Sequence, residues 1–226
     1  MNNIGKKMPA NLPARLLGMG LGLGMTVLMA SCAMAPGNDQ ADLAAQQVLK
    51  TSFRDEGSAT LDRLVLDASN RACSESQGAA LDEKLAKSIE AANLQTVKFP
   101  ADGKLLGNWR EGEKIAQNGR GMTWSDKPGE ANGGSCYNCH QISKAELSFG
   151  SIGPSLQNYG KLRGVSDPAA PDSKAIVDYT WSKLWNAKAF NACSGMPRFG
   201  HAGILTVEQL RDVMALLLDP ASPVNQ

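Results

Sequence analysis

The chain of 226 residues carries 23 Lys/Arg against 22 Asp/Glu, with 42% hydrophobic and only 5% aromatic residues. Residues 1–35 hold three basic and no acidic side chains, so without them the formal charge moves from +1 to −2. Neither balance provides the basic face that a nucleic-acid partner requires.

The N-terminus reads as an export signal. Lys6, Lys7 and Arg15 make a basic start, and Leu16 to Ala30 is an apolar run of Leu, Met, Gly and Val. That run suits a signal core better than a membrane span of about twenty residues. Two processing sites compete. Ala33-Met34-Ala35 fits ordinary small-x-small cleavage, which defines residues 1–35 as the signal peptide, whereas Met29-Ala30-Ser31-Cys32 resembles a lipobox, with Met an unusual choice at its first position. Cleavage after Ala35 leaves a soluble periplasmic protein; lipidation of Cys32 tethers it to a membrane surface.

Residues 36–104 read as a helical N-terminal extension. Leu61, Leu64, Val65 and Ala68 fall on one helical face, as do Leu81, Leu85 and Ile89. Their amphipathic pattern is expected to pack on the segment that follows, the alternative being a surface that embraces a partner subunit.

Residues 105–226 read as a second domain. A helix is expected over Trp109 to Asn118 with Ile115 and Ala116 inward, stopped by Gly119 and Gly121. After a Gly-rich loop comes Cys136-Tyr137-Asn138-Cys139-His140. C-x-x-C-H is the spacing that attaches a haem covalently, because two thiols three apart can add to two vinyl groups while the adjacent imidazole reaches the iron. Cys136 and Cys139 are then thioethers and His140 the proximal ligand. A zinc site would want four ligands, usually from a second C-x-x-C or paired histidines, and the chain has one other histidine, His201. A thioredoxin-like redox pair would follow a strand, whereas Gly133-Gly134-Ser135 precedes this motif. One covalent haem c is the expected cofactor, and a porphyrin filling the core suits the low aromatic content.

Downstream, Gly153-Pro154 marks a turn that cannot continue a helix. Asp172 is expected to cap a helix running to about Asn186, with Ile176, Val177, Trp181 and Leu184 apolar. The last helix has a capping box of Thr206 and Gln209, a Leu205–Leu210 staple and a stripe of Leu210, Val213, Met214, Leu217 and Leu218, ending at Pro220. No segment alternates as a strand, so the expected fold class is all-α.

The sixth iron ligand has few candidates, because His140 is followed by two methionines, one histidine and one cysteine. Met214 lies on the apolar stripe and reads as core. Met196, in Gly195-Met196-Pro197, sits in a loop that can aim a thioether at the iron, with His201 and then Cys193 as rivals. His and Met together leave no open coordination site, so the haem is expected to exchange electrons without breaking bonds. No catalytic site in this chain is expected. Cys73 and Cys193 remain after the other cysteines are assigned, and in an oxidising compartment a disulfide between them is expected, the alternatives being two free thiols or Cys193 as a redox or axial ligand.

The order helix, C-x-x-C-H, Gly-Pro-x-Leu, Met-Pro loop and amphipathic last helix resembles class I cytochrome c over residues 105–220. The segments Gly195-Met196-Pro197-Arg198-Phe199-Gly200 and Ile204 to Leu217 look more narrowly like the SoxX family, the monohaem subunits of SoxAX thiosulfate-oxidising complexes, whose larger members have a similar N-terminal extension. The resemblance implies a class I cytochrome c-like domain in which the Pro154 carbonyl accepts the ring N–H of His140. It further implies a SoxA-like haem subunit as partner in a heterodimer, in which the bond-forming cysteine belongs to the SoxA-like chain. The reaction is L-cysteine S-thiosulfotransferase chemistry: thiosulfate is joined to a cysteine of a SoxYZ-like carrier protein. The released electrons reach the haem of this chain and pass to a downstream cytochrome c. One departure is the pair Leu216-Leu217, where class I cytochromes often place an aromatic. A free-standing periplasmic electron shuttle would use the same haem and ligands.

Overall fold

The computed structural model describes residues 38–127 and 129–226. The signal segment and Cys32 lie outside the described residues. The first described helix is α1 (Asn38–Ser52), and the chain divides at Ala45, the second unit being Gln46–Gln226. The second unit contains α2 (Ala68–Glu75), α3 (Glu83–Leu94), α4 (Trp109–Gln117), α5 (Lys174–Trp185) and α6 (Val207–Leu218), joined by loops and short 3₁₀ turns. Among the described residues no strand forms beyond one isolated bridge between Glu56 and Ala59. The chain is therefore mostly helical, and none of the described helices is long and apolar enough to cross a membrane.

Local capping sets the helix starts. Asp67 accepts from the Asn70 N–H at 2.8 Å, Asp82 from Leu85 N–H at 3.1 Å, and Asn108 from Arg110 N–H at 3.0 Å. Each satisfies a backbone donor that the first helical turn leaves unpaired. At α6 both halves of the capping box form: Gln209 N–H donates to Thr206 Oγ1 at 3.2 Å, and Thr206 N–H to Gln209 Oε1 at 3.0 Å.

Three helical expectations need correction, the first being the Leu81, Leu85 and Ile89 face: α3 starts at Glu83, so Leu81 precedes it, and Leu85 is 43% exposed. Leu61, Leu64, Val65 and Ala68 do not share a helix face: Leu61–Leu64 is one 3₁₀ turn, Val65 is extended, and Asp67 starts a new helix. Val65 is 74% exposed, so that apolar spacing has no core beneath it. Asp172 does not cap α5. It lies inside the 3₁₀ turn Pro171–Ser173, where proline fixes the backbone one residue earlier, and α5 begins at Lys174 without a side-chain cap.

The core forms where α6 meets α4 and α5. Every residue from Val213 to Leu218 is buried, so the second half of α6 is enclosed on all sides rather than along one stripe. At its crossing with α4 the limiting residue is Gly112, since a Cβ there would press into the Asp212 carbonyl and reach Leu216 Cβ. The same crossing is pinned by Gly107 N–H to Arg211 O at 2.9 Å and Asn108 N–H to Asp212 Oδ1 at 2.7 Å.

Trp181 lies fully buried in α5, stacked between Phe99 and Trp185, and donates from Nε1 to Lys98 O at 2.9 Å. Asn186 donates to Asn93 Oδ1 at 3.0 Å and Thr96 Oγ1 at 2.9 Å, fastening α3 to the end of α5. Such buried bonds contribute about 1 kcal/mol each, but leaving one partner unpaired costs about 1–3 kcal/mol. Residues 68–104 are thus held to the helices of residues 105–226 within one unit.

Candidate functional site

Chain geometry delivers the C-x-x-C-H segment as a short 3₁₀ turn, Cys136–Asn138, directly beyond α4. Gly134 N–H donates to Ile115 O at 2.8 Å and Ser135 N–H to Asn118 O at 2.9 Å, hanging the turn from the C-terminal end of α4. Ser135 enters at φ 50°, a left-handed conformation uncommon for a residue with a side chain, which redirects the backbone into the motif. His140 N–H then donates to Cys136 O at 2.9 Å, so both thiols and the imidazole project from a single turn.

The loop 150–156 wraps this turn. Gly150 N–H donates to Tyr137 O and Gly153 N–H to Cys139 O, both at 2.8 Å, and Leu156 N–H donates to Gln141 O at 2.7 Å. Gly153 is required by space: a Cβ would drive into the His140 ring at Cε1, Nδ1 and Nε2. The next residue supplies the ring's partner, because His140 Nδ1 lies 2.6 Å from Pro154 O. A carbonyl oxygen only accepts, so Nδ1 carries the proton and Nε2 keeps its lone pair for a metal.

Cys136 and Cys139 are unbridged, whereas Cys73 and Cys193 are joined with a Cα–Cα separation of 5.5 Å. Burial pushes the Cys136 thiol up to about 12, with the neighbouring Cys139 adding in the same direction, so the site offers a neutral sulfur rather than a thiolate. Among the described residues no group of three or more His, Cys, Asp or Glu is placed to hold a bare metal ion. Two half-buried sulfurs and one oriented imidazole instead suit a metal already carried in a macrocycle.

Met196 is half-buried and packs against the same apolar cluster that Cys136, Tyr137 and Leu156 border. Met214 is fully buried in α6 and belongs to the core. His201 is largely exposed; its backbone N–H donates to Trp185 O at 3.0 Å, and partial desolvation of the ring, then Arg198, holds its pKa below the ordinary histidine range. Cys193 is held in the disulfide and, while bridged, has no thiol to offer as an axial ligand.

Several contributors have no sequence signature. Trp185 Nε1 is buried without a partner, and the Cε3 side of its ring packs over Gly200 in the Met196 loop. Arg198 forms an ion pair with Asp67 at 2.6 Å, and Lys188 is 5% exposed with Nζ 4.0 Å from Cys73 Sγ. These depend on approach between segments far apart in the chain, which spacing alone does not report. The unbridged thiol pair and the oriented imidazole are residue types that fit a covalently held haem.

No family model matches the chain. The chain is similar to a protein of Aquifex aeolicus (strain VF5) named "Uncharacterized lipoprotein", with 37% identity over 132 residues. The match spans 58% of this chain and 59% of that relative's length.

Proposed function

We propose that this chain is an electron-transfer c-type cytochrome with one haem, built as a class I cytochrome c-like domain over residues 105–226. The observation that carries the reading is the Pro154 carbonyl holding His140 Nδ1 at 2.6 Å beside an unbridged cysteine pair in C-x-x-C-H spacing. A haem bound there supplies reversible one-electron exchange. Cys136 and Cys139 hold its periphery as thioethers, and His140 offers Nε2 to the iron. Met196 would offer a thioether as second ligand, which would raise the reduction potential relative to a second histidine. Cys136, Leu156 and Met196 all pack on the one hydrophobic core, which supports a site at its edge.

The finer reading is a SoxX-like subunit. It accepts the electrons released when a SoxA-like partner joins thiosulfate to a carrier-protein cysteine, and passes them to another cytochrome. The segments Gly195–Gly200 and Ile204–Leu217 support it. We place the chain outside the cytoplasm and tethered through lipidated Cys32, supported by the basic and apolar N-terminus and by the name of the Aquifex relative.

The test is isolation of the native haem protein from thiosulfate-grown cells, with identification of every bound chain. A tight companion carrying its own C-x-x-C-H motif, and thiosulfate-dependent haem reduction when carrier protein is present, is the expected result. A lone monohaem chain would make it a free-standing shuttle, and rapid CO binding to the ferrous protein would overturn saturated His/Met ligation.

A further inference from the structure

Two ties reach from α2 to the loop that carries Met196, one on each side of it. Cys193, three residues before Met196, is bridged to Cys73 within α2; Arg198, two residues after, pairs with Asp67, the N-cap of α2, at 2.6 Å. The two sulfurs differ in surroundings. Cys193 is an exposed residue, while Cys73 is half-buried with the Lys188 ammonium 4.0 Å from its sulfur. Lys188 is itself 5% exposed and anchored by donation to Ala192 O at 3.0 Å, on the residue adjoining Cys193. A structural disulfide needs no cation beneath it, and a buried lysine without a carboxylate in hydrogen-bond contact is costly. A cation at that place is useful when a thiolate appears there.

We propose that Cys73–Cys193 is a reducible latch on the Met196 loop, opened by a dithiol protein that attacks Sγ of Cys193, the more exposed of the two residues, while Lys188 stabilises the departing Cys73 thiolate. A thiolate of the dithiol forms a bond to Cys193 Sγ as the Cys193–Cys73 bond breaks, and the electron pair leaves on Cys73. The second thiol of the reductant, after losing its proton, then attacks the mixed disulfide, releasing Cys193. The reductant ends as its own disulfide; two electrons and two protons reside on Cys73 and Cys193. Leaving-group stabilisation by a nearby cation accelerates exchange of this kind. Opening removes one of the two ties, leaving the Asp67–Arg198 pair to hold the loop. The latch itself requires only the disulfide and Lys188; its consequence for an iron rests on the reading of Met196 as ligand.

The test uses full-length haem-loaded protein and dithiothreitol as the probe, followed by alkylation, removal of reductant and reoxidation of the haem with ferricyanide. Mass spectrometry is expected to find Cys73 and Cys193 alkylated without denaturant, and amide exchange of residues 191–200 to rise. Lys188→Met is expected to slow reduction about tenfold, and Lys188→Arg to retain most of the rate. A bridge that resists reduction until the protein unfolds, unchanged exchange in residues 191–200, or Lys188→Met protein reduced as fast as native would each overturn the latch. The near-infrared sulfur-to-iron band, recorded before reduction, reports separately on Met196: its absence would remove the ligand reading and leave the alkylation and exchange results to decide the latch.

Discussion

Gly153 and His140 are in direct steric register: the space where a Cβ of residue 153 would stand is filled by the imidazole ring. The residue after Gly153 then fixes the ring's tautomer through its carbonyl. Gly153→Ala is therefore expected to push the imidazole off the Pro154 carbonyl, with on the order of a tenfold or greater loss in ligand function, the scale of outer-shell metal-site changes. Haem yield and the ferric ligand-field spectrum check this. Native yield and spectrum in the variant would mean that the ring's position is not set by this loop.

The two methionines after the motif should separate cleanly. Met214→Ala empties a fully buried site and is expected to cost about 2–5 kcal/mol, whereas Met214→Leu, which conserves volume, should cost less than about 1.5 kcal/mol. Met196→Leu is expected to leave stability nearly unchanged, abolish the sulfur-to-iron band and lower the reduction potential. Denaturant titration and a spectroelectrochemical titration of the same variants distinguish the roles; an intact band in Met196→Leu would assign the sixth ligand elsewhere.

At the helix crossing, Gly112→Val must separate α4 from the Asp212 carbonyl and from Leu216. Overpacking of this kind is expected to cost about 1–3 kcal/mol, seen as a lower melting temperature. A melting temperature equal to that of the native protein would show that the crossing is looser than the backbone approach indicates.

The Asp67–Arg198 pair carries a pH dependence of definite sign. Partial burial opposes ionisation of Asp67, but the Asn70 N–H and the Arg198 guanidinium outweigh it and hold its pKa below the ordinary carboxylate value. A depressed folded-state pKa contributes stability that is present above the unfolded value of about 3.9 and is lost as pH falls through the folded value. Asp67→Asn should flatten that part of the acid-unfolding curve while changing little at neutral pH beyond the lost pair, which is partly exposed and screened by solvent. An unchanged acid limb in the variant would show that other carboxylates govern it.

What the sequence made legible was local. Thr206, Gln209 and the apolar spacing after them specify α6 because the capping bonds and the helical period lie within a few residues of each other. The Cys136–His140 spacing is likewise local chemistry, and so is the turn at Gly153-Pro154. The stripe at Leu61–Ala68 misled because periodicity reports a helix only if the backbone continues, and Asp67 prefers to cap a new helix. Asp172 misled for a similar reason, since Pro171 had already set the turn. Lys188 and the Gly112 crossing were not legible, because their roles arise from contacts between segments about a hundred residues apart, and the Trp185–Gly200 contact because it closes across an irregular loop.

The most direct test of the central claim is the intact mass and acid-acetone extraction of the purified protein, made in cells able to attach haem c. The account predicts the mass of one haem retained after extraction, on the peptide containing Cys136, Cys139 and His140, and lost from a Cys136→Ser, Cys139→Ser double variant. A protein that carries no haem, or releases it into the acid-acetone phase, would contradict it.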